Sequence, residues 1–152
     1  MLRISWINDQ IAVGGAFLNG DIAEIKRQAI EAILDVRSEY CDDEAEIKRF
    51  NVQFLHVKID DRYTPTHQQL KEIFSFVNPI LDKGKKILIH CQNGYGRSPL
   101  IAIAILVKRG MDVADAVNLI EEKHPIVSFS LQQERFIYTD LINLLKNNYQ
   151  HP

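Results

Sequence analysis

The chain has 152 residues, of which 46% are hydrophobic and 25% charged, values of an ordinary globular protein that exclude a disordered or fibrous one. Lys and Arg number 18 against 20 Asp and Glu, and the formal net charge of −2 argues against a nonspecific polyanion binder, while leaving room for a local basic pocket. Two cysteines, Cys41 and Cys91, are too few for a disulfide scaffold and suit a reducing, cytoplasmic setting.

The first ten residues lack the apolar h-region of a signal peptide. The longest apolar run, Pro99 to Val107, falls far short of the roughly 18 residues a membrane-spanning helix needs. With no internal repeat and no Gly/Ser/Pro linker, residues 1–152 are expected to form one domain without a membrane span.

From the N-terminus, Ile4 to Val13 holds two short strand candidates around the turn signal Asn8-Asp9. Asp21 can cap a helix over 22–29, with Ile22, Ile25 and Ala29 on one face. A strand over 32–36 follows. The acidic stretch Asp42-Asp43-Glu44 then opens a short helix reaching to about Phe50, and 53–59 is the next strand. Thr66 and Gln69 fit a capping box, and Leu70, Ile73, Phe74, Val77 and Leu81 form a helical stripe that Gly84 closes. Ile87 to His90 is a short apolar strand. Ser98 to Arg109 reads as a buried helix, with Pro99 in its first turn and Gly110 past its end. Asp112 caps a helix ending near His124-Pro125. Ser130 and Gln133 form a second capping box for a last helix running to about residue 146. Strands separated by helices predict an α/β fold, with a mainly parallel central sheet flanked by helices on both faces. Ligands of such sheets sit at the carboxyl ends of the strands, so chemistry is expected just after Val36, Ile59 and His90.

After the last of these strands comes His90-Cys91-Gln92-Asn93-Gly94-Tyr95-Gly96-Arg97-Ser98, a Cys-x5-Arg loop between an apolar strand and an apolar helix. A strand-to-helix loop can turn successive N–H groups toward one point, and the helix N-terminus adds its own free donors. Gly94 and Gly96 are expected to supply the φ > 0 geometry of such a loop. The same donors would stabilise both a bound phosphate and a thiolate at the base of the nest. Arg97 can grip two phosphate oxygens at once, as Lys cannot. Ser98 can donate its hydroxyl to the Cys91 sulfur and help it leave in a second step.

HCQNGYGRS resembles the HCxxGxxRS signature of the cysteine-dependent protein phosphatases, and nearly the whole chain is similar to a compact (atypical) dual-specificity phosphatase. The resemblance implies the protein-tyrosine-phosphatase-like fold, Cys91 as nucleophile, and Arg97 with the amides of Gln92, Asn93, Gly94, Tyr95 and Gly96 as the phosphate cradle. It implies His90 as a support of the loop. It also implies a general acid Asp about thirty residues before the nucleophile and four before a Pro, which Asp61 and Pro65 match, with Asp60 as the rival. Gln133 resembles a glutamine that orients the hydrolytic water, although a plain capping role fits its position equally. The implied reaction is a double displacement through a phosphocysteine, with no metal or cofactor, on a phosphorylated protein or peptide; a phosphate- or sulfate-like anion would sit in the loop.

A shallow pocket, expected from the few residues left over for insertions, would admit phosphoserine and phosphothreonine as well as phosphotyrosine. The same chemistry on a phosphoinositide, an RNA 5′-triphosphate or a phosphoglucan is the alternative. The absence of Lys from residues 92–96 speaks against the first of these, and the net charge of −2 against the second, so no nucleic acid partner is expected. A non-catalytic phosphate-binding module would be expected to lack Cys91, Arg97 or the acid, and all are present. A monomer is expected. Cys41 is an open redox partner for Cys91, its acidic neighbours Asp42 and Asp43 being expected to slow it. His56, His67, His124 and His151 show no metal-ligand spacing.

Overall fold

The computed structural model describes residues 2–148, so His151 lies outside the described residues. The strands are β1 (Ile4–Trp6), β2 (Ile11–Gly14), β3 (Ile30–Arg37), β4 (Gln53–Ile59) and β5 (Lys86–His90). The helices are α1 (Ile22–Arg27), α2 (Glu44–Arg49), α3 (His67–Asp82), α4 (Arg97–Lys108), α5 (Val113–Lys123), α6 (Leu131–Arg135) and α7 (Leu141–Asn148). A 3-10 turn (Asn19–Asp21) precedes α1, and a π-helical turn (Phe136–Asp140) joins α6 to α7.

The five strands form one sheet in the order β1-β2-β5-β3-β4. β1 pairs antiparallel with β2, and every other pair is parallel. The antiparallel corner is made by Asn8, whose side-chain oxygen accepts from Gln10 N (2.9 Å) and Ile11 N (2.8 Å). Alternation along the strands divides the core. Ala32, Leu34 and Val36 of β3, with Ile87 and Ile89 of β5, point to the side packed by α3, α4 and α5. Ile33 and Leu88 point to the opposite, smaller cluster with Ile22, Ile25 and Ile47 of α1 and α2. The expected mainly parallel sheet with helices on both faces is therefore the fold.

The apolar run becomes α4, in which every residue from Leu100 to Leu106 is buried. Pro99 falls in the first turn, where its missing N–H has no intrahelical partner to lose. No helix among the described residues is long and apolar enough to cross a membrane.

Several local expectations hold and some do not. Both capping boxes form as read, Thr66 with Gln69 and Ser130 with Gln133. The helix expected over 22–29 stops at Arg27, because Ala29 turns to φ +65° and starts the approach to β3. Leu18 N donates to Asp21 Oδ2 (2.9 Å), so this carboxylate serves the 3-10 turn ahead of α1. Asp112 stands at the N-cap position of α5 without a side-chain cap bond. The last helix is interrupted by the π-helical turn. The buried positions Gln133, Phe136, Ile137 and Leu141 fit both an unbroken α-helix and one containing a single wide turn, so the apolar spacing cannot distinguish them.

Because Ile103 in the middle of α4 is fully buried, Ile103→Ala should lower unfolding stability by about 2–5 kcal/mol and Ile103→Val by about 0.5–1.5 kcal/mol, measured by urea unfolding.

Candidate active site

The carboxyl ends of β2, β3, β4 and β5 meet the N-terminus of α4 at one place. β5 ends at His90 and α4 begins at Arg97, so residues 91–96 are the connecting loop. The loop leans on the end of β2. Cys91 N donates to Gly14 O (3.2 Å), and Ala16 N donates to Gln92 O (2.9 Å). Ser98 Oγ also donates to Gly14 O (3.1 Å). Gly94 has φ +77°, and a Cβ there would lie 3.1 Å from the Gly14 carbonyl carbon, so a side chain would be both strained and crowded. Gly96 does not share this geometry; its φ is −132°. Glycine at 96 makes room instead for a neighbour: a Cβ would fall 2.6 Å from Gln133 Oε1, so the Gln133 amide would have to move.

Cys91 is 2% exposed at the floor of the loop. Its Sγ accepts from Gly94 N (3.3 Å) and lies 3.3 Å from Ser98 Oγ. The Ser98 hydroxyl has one proton, directed in this state at Gly14 O. It needs only to rotate to serve the sulfur instead.

Arg97 is as deeply buried as the cysteine. Nη1 and Nη2 donate to the two Glu39 carboxylate oxygens at 2.7 Å each, and Nη1 also donates to Ile59 O (2.8 Å). Among the described residues, Arg97 Nε is the one buried side-chain nitrogen or oxygen without a hydrogen-bond partner. Asp61 Oδ1 lies 3.7 Å from it. Burial disfavours the guanidinium charge, but Glu39, the Cys91 sulfur and Asp61 outweigh it and raise Arg97 above its ordinary value. The reciprocal effect on Glu39 is large: the Arg97 hydrogen bonds pull its carboxyl down to about 2.

These groups enclose a cavity of about 100 Å³ lined by Asp61, Arg62, Cys91, Asn93, Tyr95, Gly96, Arg97, Ser128, Ser130 and Gln133. Asp61 lines it and Asp60 does not; the Asp60 carbonyl instead accepts from Tyr63 N (3.0 Å) in the turn that presents Asp61. Tyr95 stands half-exposed at the rim. Gln92 points elsewhere, its Oε1 accepting from Arg37 Nη1 (2.8 Å) beside a second cleft. Gln133 has both ends of its amide engaged: Oε1 accepts from Ser130 N (3.0 Å) and Nε2 donates to Tyr63 O (3.2 Å).

Behind the loop lies a buried charged network. Asp35 holds Arg37 through Nε (3.0 Å) and Nη2 (3.1 Å), Arg37 reaches Asp42 (3.1 Å) and Gln92, and Asp42 meets His90 Nε2. His90 Nδ1 faces the Cys91 carbonyl at 3.2 Å, and Phe17 packs against its ring. Asp35, Asp42 and His90, and likewise Asp35, Cys41 and His56, lie close enough to share a cation. Both Asp35 oxygens, however, already accept hydrogen bonds from Arg37 and from Asp42 N, and Arg37 provides the local positive charge. The network therefore reads as the mount of His90 and Gln92. Cys41 is exposed beside the second cleft. Desolvation, then Asp35, Asp42 and Glu44, push its thiol up.

Sequence reasoning missed Glu39, Asp35, Arg37 and His124. Glu39 lies just past Val36, in one of the strand-end segments marked for chemistry. The signal for Asp35 and Arg37 was a charged pair at the end of a mostly apolar strand. His124 is buried and braces the loop from the far side, with Nε2 facing Gly94 O (2.6 Å) and Nδ1 facing Ser5 Oγ (2.7 Å). No spacing in the sequence announces it.

Residues 16–139 match the family model for the dual specificity phosphatase catalytic domain. The chain is 26% identical over 113 residues to protein tyrosine phosphatase type IVA 2 of Mus musculus, covering 71% of this chain and 65% of that protein. It is 28% identical over 80 residues to dual specificity protein phosphatase 5 of Homo sapiens, covering 51% of this chain and 21% of that protein. The chain thus spans less than two thirds of these curated relatives. Among solved structures, the active form of Tk-PTP superposes with a TM-score of 0.80 at 24% identity, covering 95% of this chain and 97% of that one. PTPMT1 superposes at 0.84 with 18% identity and the same coverage. With the Cys91–Arg97 loop in the middle of the matched segment, the chain belongs to the dual specificity phosphatase catalytic-domain family.

Proposed function

We propose that the chain hydrolyses phosphomonoesters on proteins, both phosphotyrosine and phosphoserine or phosphothreonine, through a phosphocysteine on Cys91. The observation that carries this is the grouping of the Cys91 sulfur, the unpartnered Arg97 Nε and the Asp61 carboxylate around one cavity of about 100 Å³. That volume accommodates a phosphoryl group and leaves the rest of the substrate at the rim. A short alcohol and a phenol would then present their phosphate equally well.

In the first step the Cys91 thiolate attacks phosphorus, a P–S bond forms, and the P–O bond to the leaving group breaks. Asp61 gives its proton to the leaving oxygen. Arg97 Nε and the loop amides bind the equatorial oxygens, whose charge they meet without reorganising. In the second step water attacks phosphorus, Asp61 takes the water's proton, and the P–S bond breaks to return the thiolate. The Ser98 hydroxyl, rotated from Gly14 O to the sulfur, stabilises that leaving thiolate. Glu39 keeps the guanidinium plane fixed, so that Nε faces the substrate.

A phosphoinositide is the second reading, supported by the fold-level likeness to PTPMT1, which has been solved in complex with PI(5)P. Residues 92–96 here contain no Lys or Arg to meet additional ring phosphates. A panel of phosphopeptides and phosphoinositides separates the two readings by kcat/KM.

The parent should hydrolyse an aryl phosphate in excess chelator, and Cys91→Ser should abolish turnover; activity that survives the substitution, or that requires added metal, would overturn the mechanism. Glu39→Gln should lower kcat/KM by about ten- to a hundredfold, the scale of a lost charged hydrogen-bond pair, measured at neutral pH. The same pair shapes acid stability. Glu39 is depressed on folding, so its contribution is complete above the ordinary 4.5 and is lost as pH falls through about 2. In thermal unfolding, the parent should lose stability more steeply than Glu39→Gln over that interval.

A further inference from the structure

The loop bearing Asp61 is tied to the N-terminus of α6. Arg62 adopts φ +70°, a left-handed conformation that residues other than glycine seldom hold. The carbonyl of that residue accepts from Ser130 Oγ at 2.7 Å. The next carbonyl, of Tyr63, accepts from Gln133 Nε2 at 3.2 Å. Ser130 and Gln133 are also the two halves of the α6 capping box: Gln133 N donates to Ser130 Oγ (3.2 Å), and Ser130 N donates to Gln133 Oε1 (3.0 Å). Each side chain thus accepts a bond from its own helix turn and donates one to the acid loop.

The same segment is fastened to the phosphate loop. Ser128 N donates to Tyr95 O (2.8 Å), and the buried Gln133 amide fills the space left by the missing side chain of Gly96. Residues 128–133 therefore touch both halves of the site, while Asp61 itself is 70% exposed.

We infer that Ser130 and Gln133 form a latch that holds Asp61 at its working distance from Cys91, making them positioning residues for proton transfer. The inference rests on the reading of Asp61 as the general acid. It assigns to Gln133 the fixing of the acid loop rather than an orienting role toward water. The two functions of each side chain are chemically separable, because capping needs an acceptor and latching needs a donor. Ser130→Asp and Gln133→Glu keep the cap acceptors and lose the donors, while Ser130→Thr keeps both.

The test compares an aryl phosphate with a good leaving group against an alkyl phosphate, which depends far more on protonation of its leaving oxygen. Ser130→Asp and Gln133→Glu should lose about tenfold more in kcat on the alkyl ester than on the aryl ester, the negative charge they add to the cavity weakening both esters alike. Ser130→Thr should behave as the parent, and Asp61→Asn should show the same selective loss in larger measure. Amide hydrogen exchange over residues 60–64 should quicken about tenfold in the two latch variants with α4 unchanged. Equal loss on both esters, or unchanged exchange at 60–64, overturns the latch. Activity independent of Cys91, or no selective loss in Asp61→Asn, overturns the catalytic reading instead, and exchange at 60–64 then still decides whether the latch exists.

Discussion

A guanidinium buried to the depth of Arg97 is stable only if its charge and donors are met, and the site is organised around that requirement. The compensation comes from two separate parts of the sheet's carboxyl edge, Glu39 beyond the end of β3 and Ile59 O at the end of β4. Arg97 itself ends the loop that follows β5, so one cation ties three strand exits together. Nε is the one nitrogen of the group left without a hydrogen-bond partner, and in the proposed reaction it meets the substrate anion. Structural compensation and the proposed anion binding use different edges of the same planar group, which a Lys ammonium could not divide in this way.

The net charge of −2 is consistent with this local design. The positive groups at the cavity are the Arg97 and Arg62 side chains, loop amides and a helix end, and the surrounding carboxylates Glu39, Asp61 and Asp42 all have structural or chemical partners nearby.

Much of this was legible in the sequence because it is local. The Cys-x5-Arg loop, the capping boxes at Thr66 and Ser130, and the alternating strands are short-range patterns whose residues lie next to their partners in the chain. Two of the site residues that escaped reading are long-range. Glu39 reaches Arg97 across 58 positions, and His124 reaches Gly94 across 30. Neither residue type is unusual at its place, so only the assembled sheet reveals the contact. Gly96 shows the same limit from another side: its small size was legible, but the reason, a neighbouring glutamine from α6, was not. The π-helical turn left no trace because one wide turn hardly disturbs an apolar stripe.

The carbonyl of Gly14 accepts from both Cys91 N and Ser98 Oγ, the latter 84 positions away. The phosphate loop is therefore not a self-contained motif that could be excised and still cradle an anion. Its floor belongs to the second strand of the chain, and it takes shape only when β2 has docked beside β5. The cost of closing so long a segment falls on folding, before any reward from the contacts it brings together. A partly folded chain carries Cys91, Arg97 and Ser98 in sequence yet lacks the Gly14 carbonyl that holds their loop in shape.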